Sequence, residues 1–477
     1  MRLSLSKTAY IVFVFCAVAA TPSSAQTFKS LFSFQGTNGA NPGYVNLVQG
    51  SDGNLYGTTE VSSGTEGTVF KFATSASKPT TLHVFCTTGE PCLDGAKPVA
   101  GLTLASNGLF YGTTLDGGYY GVGALFQITT AGKFTHLYDF GGGMYGSYPE
   151  SPPILAADGY LHGTASEGGS SKNDGLLYKI STAGKFASLL SFTGGNGIYP
   201  YAGLIQATNG TYYGTTAEVT SGNGTVFEVL PTGTMKTLHK FIGAPGGGFP
   251  LSGLVLASGT LYGTTTTGGA NHKGGTVFSI SAAGKFTTLY SFCAKSDCTD
   301  GAAPEGTLIL GTDGNLYGTT YNGGMNTTAC NGGCGTIFRI TTAGKLTTLY
   351  NFCSQSGCVD GYYPQGGLVQ ATNGTFYGTT FYGGTSGSGG TVYSLSVGLG
   401  PFVKILPTSG TAGTTAMILG DNLTGATKVS FNGIDAAFRV VSSTEIEATV
   451  PMGATTGTVT VVTPESTLTS GAIFQVD

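Results

Sequence analysis

The sequence predicts an all-β chain: a seven-bladed β-propeller of four-stranded blades, its last blade closed by an N-terminal strand, followed by an immunoglobulin-like β-sandwich. Three observations carry this. The stretch Leu55-Tyr56-Gly57-Thr58-Thr59 recurs, with small edits, at Phe110–Thr114, Leu161–Ala165, Tyr212–Thr216, Leu261–Thr265, Leu316–Thr320 and Phe376–Thr380, the central glycines 49 to 60 residues apart. A period of that size marks a solenoid, an array or a propeller. The composition, with 81 Gly, 25 Tyr, 28 Phe, no Trp and 9% charged residues, favours strands and turns over helices. The two ends of the repeat array are also complementary: a lone strand pattern precedes the first repeat, and the last repeat lacks that same strand.

Residues 1–25 read as a secretory signal peptide, with Arg2 and Lys7 before the apolar run Ala9 to Ala20 and small residues Ser23-Ser24-Ala25 at the cleavage point. The run is too short to span a bilayer and no later one is longer, so no membrane insertion of the mature chain is expected. Cys16 does not fit lipid attachment, because Phe15 occupies a position that needs a small residue. Losing the leader makes the net charge of −4 more negative. With no basic patch to displace counterions, nucleic acid is excluded as a partner.

From residue 26 to 398 each period holds four short strands. A first apolar run such as Gly203 to Thr208 meets a turn, Asp52-Gly53, Asn107-Gly108, Asp158-Gly159, Asn209-Gly210, Asp313-Gly314 or Asn373-Gly374, with Ser258-Gly259 as the exception. These dipeptides predict two-residue type I′ hairpins. The recurrent Leu-Tyr-Gly-Thr-Thr stretch is the second strand, Gly67 to Phe72 a third, and Lys285 to Phe292 a fourth reached through an Ala-Gly turn. Such a four-stranded antiparallel meander is a propeller blade. The lone pattern Lys29 to Phe34 matches the fourth strand that is missing after Gly390 to Leu395, so the ring is expected to close. From 399 to 477 the repeat gives way to the alternating strands of a small sandwich.

The repeat region resembles the GloVer tandem-repeat family of bacterial exported proteins, whose units read like the stretches quoted above. That resemblance implies a surface or extracellular location and no established biochemical activity. The C-terminal part is similar to IPT/TIG domains through Ile405-Leu406-Pro407-Thr408-Ser409-Gly410, Gly420-Asp421-Asn422-Leu423, Phe431-Asn432-Gly433 and Val450-Pro451. This implies a spacer or adhesion module.

Eight cysteines remain after the leader, closely spaced as Cys86 with Cys92, Cys293 with Cys298, Cys330 with Cys334, and Cys353 with Cys358. In an exported protein they read as four local disulfides. Their spacing and the lack of neighbouring histidines argue against zinc, and neither a metal nor a cofactor is expected. His83 and His239 occupy a Tyr slot of the fourth strand, His162 a Tyr slot of the second and His136 a Thr slot of the fourth, which points to structural roles. Asp94, Asp300 and Asp360 precede glycine in loops and read as turn residues. No nucleophile elbow, phosphate loop or metal signature is present.

The short turns of all blades share one face, and the long variable loops share the other. A proline leads into every first strand, and Tyr148, Tyr199, Phe249 and Tyr363 stand just before it. If that strand is innermost, they ring the mouth of a central channel, with Tyr120, Tyr321 and Tyr382 in neighbouring loops. Aromatic rings there are candidates to stack on sugars or grip a peptide. The expectation is a secreted or cell-surface monomer, non-enzymatic, binding a polysaccharide or a surface protein. A glycan-cleaving hydrolase or lyase is the alternative, and a purely structural surface component the third reading.

Overall fold

The computed structural model describes residues 26–62, 64–170 and 173–477; the expected signal peptide and Cys16 lie outside them. Among the described residues no helix is long and apolar enough to cross a membrane. Seven four-stranded antiparallel sheets follow one another. The first blade consists of Val48–Gln49, Leu55–Thr59, Thr68–Phe72 and Thr80–Val84, and the next five repeat that order. In the seventh, Val369–Gln370, Phe376–Thr380 and Thr391–Ser396 are completed by Thr27–Ser33. In the first six blades the fourth strand pairs with the third across a β-bulge, and the N-terminal strand carries the same irregularity between Ser30 and Phe32. The ring therefore closes by a true fourth strand supplied from the other end of the chain.

The turn that leads into each recurrent stretch differs from the expected type I′ form. Gly50 and Asn54 flank a three-residue loop in which the Gly53 N–H donates to the Gly50 carbonyl and the Gly50 N–H to the Asn54 carbonyl. Only the glycine, φ 76°, has positive φ. This is a type I turn followed by a left-handed residue, and five other blades share it. Each Asp or Asn there accepts the N–H two residues on, as Asp52 does from Asn54. That local bond is why the side chain is Asp or Asn. The two-residue form with positive φ at both positions occurs at Ser258-Gly259, where the loop is one residue shorter and Ala257 pairs directly with Thr260.

The rest of the recurrent stretch is equally explained by packing. A Cβ on Gly57 would lie 2.8 Å from the Phe70 ring, and the equivalent glycine of every blade meets the third-strand aromatic in the same way. The first threonine of the pair reaches into the next blade: Thr58 Oγ1 donates to the Ala100 carbonyl at 2.6 Å, and the series runs round to Thr379 donating to Pro42. A second stitch lies beside it. The glycine opening each third strand has positive φ, and the proline of the following blade packs where its Cβ would be, as Pro98 does on Gly67 and Pro42 on Gly390.

Five blades place Phe against the glycine of the second strand; the third and seventh place Tyr178 and Tyr393. Both are fully buried, and neither hydroxyl has a hydrogen-bond partner. An unpaired buried hydroxyl costs about 1–3 kcal/mol. Tyr178→Phe and Tyr393→Phe are therefore expected to raise the thermal midpoint, each adding about 1 kcal/mol; a lowered midpoint would show that the hydroxyls are satisfied.

The C-terminal sandwich packs Lys404–Leu406, Thr415–Leu419, Glu445–Thr449 and Phe438–Ser442 on Ile434–Asp435, Lys428–Phe431, Val459–Val462 and Thr467–Thr469. Val403, Ile418, Phe431, Ile446, Val461 and Phe474 fill its core. It docks on the short-turn face of the propeller. Met417 and Leu419 join the cluster of Tyr56, Leu104 and Phe110. Thr444 Oγ1 donates to the Ser51 carbonyl at 2.7 Å, and Thr372 Oγ1 to Asp421 at 2.9 Å.

Candidate functional site

A proline opens each first strand, and the residue before it has positive φ in all seven blades: Asn41, Lys97, Tyr148, Tyr199, Phe249, Ala303 and Tyr363. Its N–H donates to the preceding blade and its carbonyl accepts from its own, as Tyr148 does from Val122 to Ser166. These bonds hold the backbone in a conformation that costs an ordinary residue about 1–2 kcal/mol. The chain then turns inward, so that the residues directly after the proline face the ring axis.

A cavity of about 440 Å³ lies there, lined by residues of all seven blades. Directly after the proline stand Val99, Glu150, Tyr201, Leu251, Glu305 and Gln365, and Tyr44 follows one residue later in the first blade. Glu150 and Glu305 are its only ionisable acids, and no Lys, Arg or His lines it. Burial raises the Glu150 carboxyl to about 7, with Glu167 adding to the effect and a hydrogen bond from Ser166 opposing it. Burial likewise raises Glu305 to about 7, opposed by a hydrogen bond from the Gln365 side chain. Glu305 Oε2 and Gln365 Oε1 have no hydrogen-bond partner. Burial, with the charges of Glu305 and Glu150, keeps the Tyr44 hydroxyl protonated well above its usual range.

None of the seven aromatics singled out in the sequence lines this cavity. Tyr199 stacks on the wall residue Tyr201 with centroids 5.8 Å apart. Tyr321 stacks on Tyr363 at 4.4 Å, and Tyr382 packs against Tyr363, Tyr362 and Phe381. Burial and the charge of Glu305 push the Tyr321 hydroxyl up to about 12. Tyr148 and Phe249 are half-buried. Tyr120 is 61% exposed and packs with Tyr119, which is 72% exposed. The wall acids Glu150 and Glu305 and the wall residues Tyr44 and Gln365 were missed. Their signal was register: the position after the strand-leading proline.

The other candidates have structural partners. All four disulfides are formed as paired above. Asp300 and Asp360 are fully buried and cap their loops, Asp300 accepting from Tyr290, Ala294 and Lys295 and Asp360 from Tyr350, Ser354 and Gln355. Asp94 accepts from Cys86 and pairs with His83. His162 pairs with Asp158 and Tyr212, and His239 stacks on Phe286. Cys86, Glu90 and Cys92 are the only three metal-capable side chains grouped together among the described residues, and their sulfurs are bonded to each other.

Comparison with known proteins gives the same architecture. Residues 17–173, 145–330 and 217–435 each match the Gloeobacter/Verrucomicrobia repeat, and 402–475 match the IPT/TIG domain. No curated protein matches the chain in sequence. Among solved structures, the extracellular domain of a hybrid two-component system from B. thetaiotaomicron is similar at 12% identity and TM-score 0.50, covering 83% of this chain. The chain spans only 46% of that protein's length. A fungal alcohol oxidase of the AA5 family matches at 12% identity and TM-score 0.49, over 94% of this chain and 98% of its own. An oligogalacturonate lyase from Vibrio parahaemolyticus matches at 10% identity and TM-score 0.46, over 78% of this chain and 96% of its own. At 12% identity the likeness to the first of these is one of fold.

Proposed function

We propose that this chain, which belongs to the Gloeobacter/Verrucomicrobia repeat family and carries an IPT/TIG domain at 402–475, is an exported binding protein that takes a polysaccharide segment at the loop face of its propeller. The observation that carries this reading is the continuity of the stacked rim with the channel. Tyr199 lies on Tyr201, and Tyr321 with Tyr363 stands beside the wall acid Glu305. Half-buried aromatic rings beside a largely apolar cavity that also carries carboxyl and amide groups suit a sugar, whose C–H faces stack and whose hydroxyls need hydrogen-bonding partners. Four disulfides and the IPT/TIG domain support an extracellular location.

The test is glycan-array and pull-down binding of the mature chain. Replacing Tyr148, Tyr199 and Tyr363 together by Ala is expected to weaken binding about tenfold or more; unchanged binding would remove the rim from the site. The two half-buried glutamates favour a second reading, a glycan-cleaving enzyme, because a carboxyl raised to about 7 can act as a general acid near neutral pH. Release of new chain ends from a bound glycan, lost in Glu150→Gln or Glu305→Gln, would establish it.

A further inference from the structure

We infer that the central channel receives a cationic amino-sugar chain, a glucosamine-type oligomer whose ammonium groups pair with Glu305 on one wall and Glu150 on the other; this deepens the polysaccharide reading and rests on it. The two carboxyls belong to the sixth and third blades, three blades apart in a ring of seven, and so face each other across the axis. Both have aromatic neighbours in the wall: Tyr44 feels the charge of Glu305 and, less strongly, of Glu150, and Tyr201 that of Glu150. Behind the first wall two acceptor oxygens, Glu305 Oε2 and Gln365 Oε1, are buried without a hydrogen-bond partner.

A half-buried carboxyl with no cation beside it is partly desolvated without compensation, and the channel lining supplies no cation. A ligand that brings the cation removes that cost and gains the strong attraction of a low-dielectric site. A single calcium ion does not meet the geometry, since it needs six to eight oxygens converging on one point and these carboxyls stand on opposite walls. A chain with an ammonium on each residue reaches both. Its sugar rings then lie against Tyr44 and Tyr201, where cation–π attraction adds to stacking.

The pH dependence follows from the groups that face each acid. Glu150 sees Ser166, Glu167, Tyr201 and Tyr44; Glu305 sees Gln365, Tyr44 and Tyr321. None of these is a cation, and burial raises both carboxyls to about 7. Cation binding should therefore weaken as pH falls through neutrality and the carboxyls take up protons. It should weaken again as the pH rises just past neutrality, because an amino-sugar amine is a weaker base than a lysine amine and gives up its proton there.

The experiment is calorimetric titration of the mature chain with a glucosamine hexamer, an N-acetylglucosamine hexamer and hexalysine across that pH range. The expected result is a preference of about tenfold or more for the glucosamine hexamer over its acetylated form, bell-shaped in pH. The isosteric Glu150→Gln and Glu305→Gln variants, their fold checked by circular dichroism, should bring the two hexamers to nearly equal affinity. Equal binding of both hexamers by the unmodified protein overturns the inference and leaves the polysaccharide reading intact. Tighter binding of hexalysine overturns it in favour of a basic peptide, and binding of neither hexamer overturns the inference while the glycan array decides the polysaccharide reading.

Discussion

Gly335→Ala is expected to destabilise the ring by about 3 kcal/mol or more, the sum of backbone strain and forced overlap. Gly335 has φ 94°, and a Cβ there would lie 2.4 Å from the Thr320 carbonyl oxygen and 2.6 Å from Pro364 Cδ. The first contact is with backbone of the same sheet and the second with a rigid ring of the next blade, so neither neighbour can swing aside. Gly314→Ala is the control. Gly314 has a comparable φ of 76°, but a Cβ would meet nothing within 4 Å. Only the backbone term of about 1 kcal/mol should appear there. Thermal melts of the two variants should thus separate conformational strain from inter-blade packing. Equal shifts would mean that the glycine-on-proline joint contributes nothing. Pairing Gly335→Ala with Pro364→Ala should restore little, because the carbonyl overlap remains.

The same joint shows what the sequence could and could not disclose. Blade number, strand order and ring closure were legible, because each is a repeated local pattern and repetition averages out the exceptions. The cysteine pairs were legible for the same reason, being four to six residues apart. The turn type was misread: Asp-Gly suits both a two-residue and a three-residue hairpin, and only the pairing of Gly50 with Asn54 decides between them. The docking of the C-terminal sandwich was hidden in the strand Thr415–Leu419. Ala416, Met417, Ile418 and Leu419 are all buried, Ala416 and Ile418 in the sandwich's own core and Met417 and Leu419 against the propeller. An apolar run on both faces marks a strand covered on both sides, which a freely hanging spacer would not need. The channel acids were missed because a search for paired carboxyls looks for closeness in sequence. Glu150 and Glu305 are brought to one cavity only by the circular arrangement of blades.

Deleting residues 26–35 is expected to open the propeller ring. The strand Thr27–Ser33 ties three blades together. It pairs with Thr391–Ser396 of the seventh blade, and Phe28 stacks on Tyr350 of the sixth at 3.6 Å. Phe34, fully buried, packs with Leu55, Phe70 and Phe72 of the first and donates its N–H to Gly390. Loss of a buried Phe side chain alone costs about 3–5 kcal/mol, against a total of about 5–15 kcal/mol for a folded domain. Removing the strand also leaves Thr391–Ser396 as an open edge, the kind of surface that recruits another chain. Size-exclusion chromatography should therefore show the truncated protein as aggregates or strand-exchanged oligomers. Phe34→Ala should remain monomeric with a lowered melting temperature. A synthetic peptide of residues 26–35 added during refolding should restore the monomer, since it supplies the fourth strand without the covalent link. A truncated monomer that melts like the full chain would mean that three strands suffice for the seventh blade, and that the Thr58-to-Thr379 series of inter-blade hydrogen bonds holds the ring shut without it.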